Sequence, residues 1–291
     1  MKERTRAMDD FRSVQDRLSA VLDRPLTFIV GATRWGTAWV QQCLDTHPDV
    51  RAAGEGHFSD ILFPRLAEAL DDYNGQCARI ANRLDVAGLP ASEAGFTCDD
   101  MDHLMRTAVA LMFDRWAAAG RAACLVEKTP EHVALLDVLT RILPSARVIH
   151  VICDGRDEAA AAREFNMGLS PGSFPRTYPT FADFAEVFAG NWKRSLDVAR
   201  RFQRVHPNRF LEVRAEKIMR APMTEAEKLF RFLGVGGSDD ADLMQLCSDT
   251  AWDAVPLDLV AGTWRQSFDE TAERAFRRHA GELLKLLGYT E

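Results

Sequence analysis

The feature that most constrains this chain is a short apolar run, Leu26 to Val30, that feeds directly into Gly31-Ala32-Thr33-Arg34-Trp35-Gly36-Thr37-Ala38-Trp39, from which a helical pattern continues to about Asp45. Strand, glycine loop and helix in that order aim the unbonded backbone N–H groups of the helix start at an anion. Gly31 and Gly36 have the spacing of a Walker A loop, but that motif needs Lys followed by Ser or Thr where Thr37 and Ala38 stand, which disfavours a P-loop kinase or GTPase. Two glycines alone would serve a tight turn equally well. Arg34 tips the reading towards anion binding, because a guanidinium inside the loop offers bidentate bonds to phosphate or sulfate.

Three more apolar runs, Ala123 to Val126, Val148 to Ile152 and Phe210 to Val213, are each followed by a helical pattern. Such alternation implies parallel strands joined by crossover helices. The expected fold is α/β, a P-loop-like three-layer arrangement with a central parallel sheet flanked by helices. Helices are expected over Met101 to Ala119, Glu131 to Leu143, Phe181 to Phe202 and Thr271 to Leu287, the last stopped by Gly288. Asn166 to Thr180 holds three prolines and two glycines and reads as a long loop over a site. Met8, Phe11, Val14, Leu18 and Val21 recur at helical spacing, so residues 1–24 form an amphipathic helix expected to cover the sheet. With 291 residues, 47% of them hydrophobic, and no linker-like stretch, residues 1–291 read as one domain.

The formal net charge of −7 lacks the basic excess that gives affinity for nucleic acid, so no nucleic-acid partner is expected. The first ten residues alternate charges, and no segment approaches bilayer-spanning length, which leads to the expectation of a cytoplasmic protein with no membrane partner. The six cysteines are well separated, without metal-ligand spacing, and read as free thiols. No residue cluster suggests a metal.

In a parallel sheet the reactive groups gather where strands end. Gly54-Glu55-Gly56-His57 follows one apolar run, Glu127-Lys128-Thr129-Pro130 a second and Cys153-Asp154-Gly155-Arg156-Asp157 a third. Glu55, between glycines, is placed to accept a hydroxyl proton, with His57 as the alternative base; a solvated loop carboxylate is the competing reading. Lys128 precedes Thr129 and Pro130, which read as the N-cap and first residue of a helix whose start also attracts anions. Glu127, Glu131 and His132 are equally readable as helix-start and surface residues.

Phe28 to Trp39, followed by Leu44-Asp45-Thr46-His47-Pro48-Asp49-Val50, resembles the 5′-phosphosulfate loop of sulfotransferases, nearest the tyrosylprotein and bacterial branches. The resemblance implies 3′-phosphoadenosine 5′-phosphosulfate (PAPS) as donor and a small-molecule or peptide acceptor with a hydroxyl. It implies donor binding by Arg34, Trp35, Gly36, Thr37, Ala38, Trp39 and Arg156. Catalytic roles fall to Glu55 as base, Lys128 beside the transferring group, and Arg34. Trp35 and Ala38 stand where the family usually has Ser and a second Thr or Ser. The Asp154-Gly155-Arg156 core matches the family's 3′-phosphate motif, yet Cys153 replaces an arginine and Ala161 a serine. Val213 to Glu216 lacks the aromatic common near adenine, and Leu257 to Leu259 lack the basic cluster that clasps the 3′-phosphate, leaving only Gly262-Thr263-Trp264. Arg156, Arg163 and Arg265 are the candidate substitutes. The rival readings are a sulfotransferase-like protein that binds a nucleotide or partner without catalysis, and a transferase whose donor carries no 3′-phosphate.

Overall fold

The computed structural model describes residues 2–31, 36–90, 95–118, 122–236, 245 and 262–289, with the side chains of residues 2–9 left aside. Five strands, β1 (Leu26–Gly31), β2 (Val50–Ala53), β3 (Cys124–Lys128), β4 (Arg147–Ile152) and β5 (Phe210–Arg214), make one sheet in the order β2-β3-β1-β4-β5. Every pairing is parallel. β1 is central and buried on both faces, which explains its uninterrupted Leu-Thr-Phe-Ile-Val composition. Because the chain runs from β1 to one side and returns through β4 on the other, the order reverses at the end of β1, where such sheets open a crevice.

Helices cover both faces, as the alternation required. Trp39, Val40, Cys43 and Leu44 of the Thr37–Asp45 helix pack with Ile149, Val151, Leu229 and Phe230 on one face. On the other, Phe28 and Val30 meet Met105, Val109 and Phe113 of the Cys98–Ala117 helix and Leu136 and Leu139 of the Leu136–Ile142 helix. A third apolar cluster joins the Gly155–Leu169, Phe181–Val205 and Glu270–Leu287 helices through Ala159, Trp192 and Phe276.

Several expectations are corrected. The opening helix spans Lys2–Leu22 but packs principally on the Cys98–Ala117 helix, where Arg17 pairs with Asp114, rather than on the sheet. That second helix starts earlier than expected because Thr97 and Asp100 form a reciprocal capping box. The segment read as a long loop is shortened: one helix runs on to Leu169, and a further turn forms at Phe174–Thr177. Glu131 to Leu143 is a 3₁₀ segment, Pro130–Leu135, followed by a short α-helix. The sequence reading missed the Phe63–Val86 helix altogether. Cys43 is disulfide-bonded, so the thiol reading fails there, while Cys77, Cys98, Cys124 and Cys153 are free.

Candidate active site

The end of β1 delivers the chain to the glycine loop in a backbone conformation that only glycine holds without strain. Gly31 has φ 112°, and a Cβ there would collide with the carbonyl oxygen of Val151 on β4. Gly36, at φ 84°, closes the loop one residue before the Thr37–Asp45 helix. That helix has no acidic residue in its first turn and no side-chain cap, so its N-terminal dipole faces no competing carboxylate from its own first turn. Arg34 and Trp35 lie outside the described residues. Thr37 is buried at the helix start and Ala38 half-buried, whereas Trp39 is wholly inside the core beside Val151 and Cys153.

Beside this loop, β2 and β3 end together, with Ala53 paired to Glu127. Lys128 Nζ forms a short ion pair with Glu55 Oε1, and His57 Nε2 lies 3.1 Å from Glu55 Oε2. His57 Nδ1 is also 2.8 Å from Asp60. Burial works against ionisation of Glu55, but Lys128 and His57 outweigh it and hold the carboxyl below its usual value. The hydrogen bond to Asp60, chief among the influences on His57, raises its pKa. Because both imidazole nitrogens face carboxylates, His57 is a donor on each side, which leaves Glu55 as the better proton acceptor.

The loop that presents Glu55 is fastened from beneath by Glu127, equally readable from sequence as a helix-start or surface residue and found with no exposed surface. Its Oε1 accepts from Gly56 N at 2.8 Å and from Thr129 Oγ1 at 2.5 Å. Thr129 Oγ1 therefore serves Glu127 and accepts a long 3.4 Å bond from His57 N, rather than capping the helix as expected. His132 is also fully buried, with Nδ1 2.5 Å from Ser59 Oγ and Nε2 3.5 Å from Glu127 Oε2. Burial pushes Glu127 up to about 7 and His132 down to about 4. Between about pH 4 and 7 a neutral carboxyl faces a neutral imidazole, as burial away from water favours. The one clue in the sequence was a glutamate closing an otherwise apolar strand.

At the end of β4 the third polar segment takes a different form. Arg156 is 1% exposed; its Nε and Nη2 bind Asp154 at 3.0 and 2.7 Å, and its guanidinium lies 3.9 Å from the Trp264 ring. Asp157 accepts from Gly262 N, Thr263 Oγ1 and Trp264 N, so the Gly-x-Trp segment is tied to this helix start. Arg163 and Arg265 lie over the rings of Phe181 and Trp264. Cys153 is a buried thiol whose pKa is raised by burial and by the surrounding Glu158, Glu216, Asp154 and Asp157. Leu257 to Leu259 fall outside the described residues. The structure thus brings Glu55, Lys128 and His57 together near the glycine loop, and gives Arg156 a structural partner.

A sulfotransferase family profile matches residues 25–239. Protein-tyrosine sulfotransferase 1 from Homo sapiens is 32% identical over 135 residues, 46% of this chain and 32% of that protein. Protein-tyrosine sulfotransferase 2 from Gallus gallus is 24% identical over 232 residues, 80% of this chain and 56% of that protein. The matched stretch thus covers only about a third of the first relative's length, 32%. Among solved structures, sulfotransferase STF9 from Mycobacterium avium shares the fold with a TM-score of 0.58 at 14% identity, over 95% of this chain and 80% of that one. Mouse SULT7A1, solved with PAP, gives a TM-score of 0.50 at 15% identity, over 92% of this chain and 89% of that one. With its core strands, glycine loop and strand-end glutamate all inside the matched region, this chain belongs to the sulfotransferase family.

Proposed function

We propose that the protein transfers a sulfuryl group from a PAPS-type donor to the hydroxyl of a small-molecule or peptide acceptor by in-line displacement, as a single domain acting in the cytoplasm without metal. The observation that carries this reading is the Glu55–Lys128–His57 group at adjoining strand ends, beside a helix start whose first turn holds no acid. A donor of this type supplies the activated sulfuryl group. Its 5′ end fits the glycine loop, where Arg34, Gly36, Thr37 and Ala38 would hold it. Glu55, ionised at neutral pH, takes the acceptor's hydroxyl proton. Lys128 turns from Glu55 to meet negative charge at the loop, a role suited to its position on β3 opposite Ile29 of β1.

The 3′ end of such a donor fits less well. Four carboxylates surround Cys153, and Arg156 is committed to Asp154. A phosphate dianion there would face those carboxylates, while the guanidinium of Arg156, whose Nη1 has no partner among the described residues, already has its charge offset by Asp154. This observation favours a second reading, a donor lacking the 3′-phosphate. Incubating the protein with labelled PAPS, or with adenosine 5′-phosphosulfate, and a panel of hydroxyl acceptors separates the two. Transfer from PAPS supports the first; transfer only from the shorter donor supports the second; transfer from neither removes both.

A further inference from the structure

The Phe63–Val86 helix is 24 residues long, yet none of its residues is fully buried. Phe63, Leu66 and Leu70 are partly covered by the core cluster that includes Met105 and Phe113. A second stripe lies about a quarter-turn round the helix from these three. Ala69, Tyr73, Gln76, Ile80 and Arg83 recur at steps of four and three residues, which puts them on one side, and all are exposed, Tyr73 by 47% and Ile80 by 56%. The chain that returns after the helix is fastened elsewhere. Asn74 bonds both the N–H and the carbonyl of Phe96 and sits about 160° round the helix from Gln76, while the Phe96 ring meets Tyr73 at the edge of the stripe.

The charges beside this stripe are divided along the helix. Glu68, Asp71 and Asp72 lie in its first half, and Arg79 and Arg83 in its second; Arg65 and Asp85, beyond them, are likewise of opposite sign. Among the described residues no ion pair engages Glu68, Asp72, Arg79 or Arg83. A partner of one charge sign would attract one half and repel the other. A copy of the same helix laid parallel would set each charge beside its like. Laid antiparallel about a two-fold axis between Gly75 and Gln76, the copy brings its Arg79 opposite Asp72 and its Arg83 opposite Glu68, and each pair occurs twice. The same alignment sets Tyr73 beside the copy's Ile80, so the exposed apolar side chains cover each other.

We propose that this stripe is an interface between two copies of the chain, paired antiparallel about a two-fold axis between Gly75 and Gln76. Tyr73 and Ile80 supply the apolar contact, and the charges fix direction and register more than they add affinity. One helix from each copy makes a small interface, so the dimer is reversible, with a dissociation constant on the order of 10 µM. Nothing in this proposal uses the sulfuryl-transfer reading.

Sedimentation velocity of the whole chain over a range of concentrations tests it, with far-UV circular dichroism to verify that each variant is folded. The parent is expected to pass from monomer to dimer as concentration rises, and Ile80→Glu to stay monomeric. Asp72→Arg and Arg79→Asp, both at exposed positions, each weaken the dimer about tenfold, because each change acts twice across the axis. The double variant Asp72→Arg/Arg79→Asp restores opposite charges only in the antiparallel pairing and returns to within about threefold of the parent. A parent that remains monomeric at about 200 µM, twentyfold above the expected constant, overturns the proposal and leaves the stripe to another occupant. A dimer indifferent to Ile80→Glu, or single reversals that weaken it without recovery in the double variant, overturns it as well. Because the readout is mass rather than turnover, failure here leaves the functional reading untouched, and failure of sulfuryl transfer leaves this proposal untouched.

Discussion

Lys128 and Glu55, 73 residues apart in sequence, form an ion pair across the ends of β3 and β2. Each neutralises the other until an anion and a hydroxyl compete for them, so the site holds its cation and its base ready in one contact.

Breaking that pair has a signed consequence for pH. On the proposed mechanism activity needs Glu55 ionised, and Lys128 helps hold its pKa down. In Lys128→Ala the acidic limb of the kcat/KM profile therefore moves to higher pH, and the rate at the plateau falls by about 10² to 10³, the usual cost of removing one electrostatic contact to developing charge. A profile whose limb stays in place would separate Lys128 from the base. The same depressed pKa makes the pair's small stabilising effect present above the unfolded value for glutamate and lost as pH falls through the folded one.

Arg34 is assigned to the loop from sequence. Arg34→Ala is expected to weaken nucleotide or sulfate binding by about 1.5 to 3 kcal/mol, the range for hydrogen bonds to charged groups. Calorimetry showing unchanged affinity would take the loop out of the binding site.

Glu127 predicts an unusual pH dependence of stability. Its folded pKa of about 7 lies above that of an unfolded glutamate. Its contribution is therefore greatest at acid pH and is lost as pH rises through about 7. His132, lowered to about 4, works oppositely and weakens the fold as pH drops below the ordinary histidine value. Glu127→Gln keeps the acceptor for Gly56 N and removes the first effect. Relative to the parent, the urea midpoint of this variant should rise at pH 8 compared with pH 5.5, because the His132 effect is all that remains; an unchanged difference between the two would mean that Glu127 does not titrate in this window.

The central sheet was legible because fully buried parallel strands are predominantly apolar, and Leu26 to Val30 and Val148 to Ile152 are apolar apart from Thr27 and His150. The glycine loop was legible because Gly31 and Gly36 take positive φ. The Phe63–Val86 helix was not, since it has no fully buried residue and so carries little core pattern. Glu55 and Lys128 were readable as strand-end residues, but the Glu127–His132–Ser59 group beneath them was hidden. It depends on pairing across 73 residues between the Pro130–Leu135 segment and a π-helical turn at Phe58–Leu62, and no local spacing records that. The pairing of Arg156 with its near neighbour Asp154 through Nε and Nη2 was not readable from the sequence.

The altered 3′ region yields its own expectation. With a buried thiol at Cys153 and four carboxylates around it, the site should no longer select a 3′-phosphorylated nucleotide, so PAP and AMP bind within about tenfold of each other, a difference of about 1.4 kcal/mol. Calorimetry at fixed salt makes the comparison, because screening shrinks charge contributions. PAP binding a thousandfold more tightly than AMP would show that a clasp exists outside the described residues.

The most direct test of the account is single-turnover sulfuryl transfer by the parent protein and by Glu55→Gln, with donor affinity measured alongside. The account predicts transfer by the parent, a loss of about 10² to 10⁴ in the variant, and nearly unchanged donor binding, as befits removal of a general base. Transfer at the parental rate in Glu55→Gln, with His57→Ala inactive instead, would contradict it.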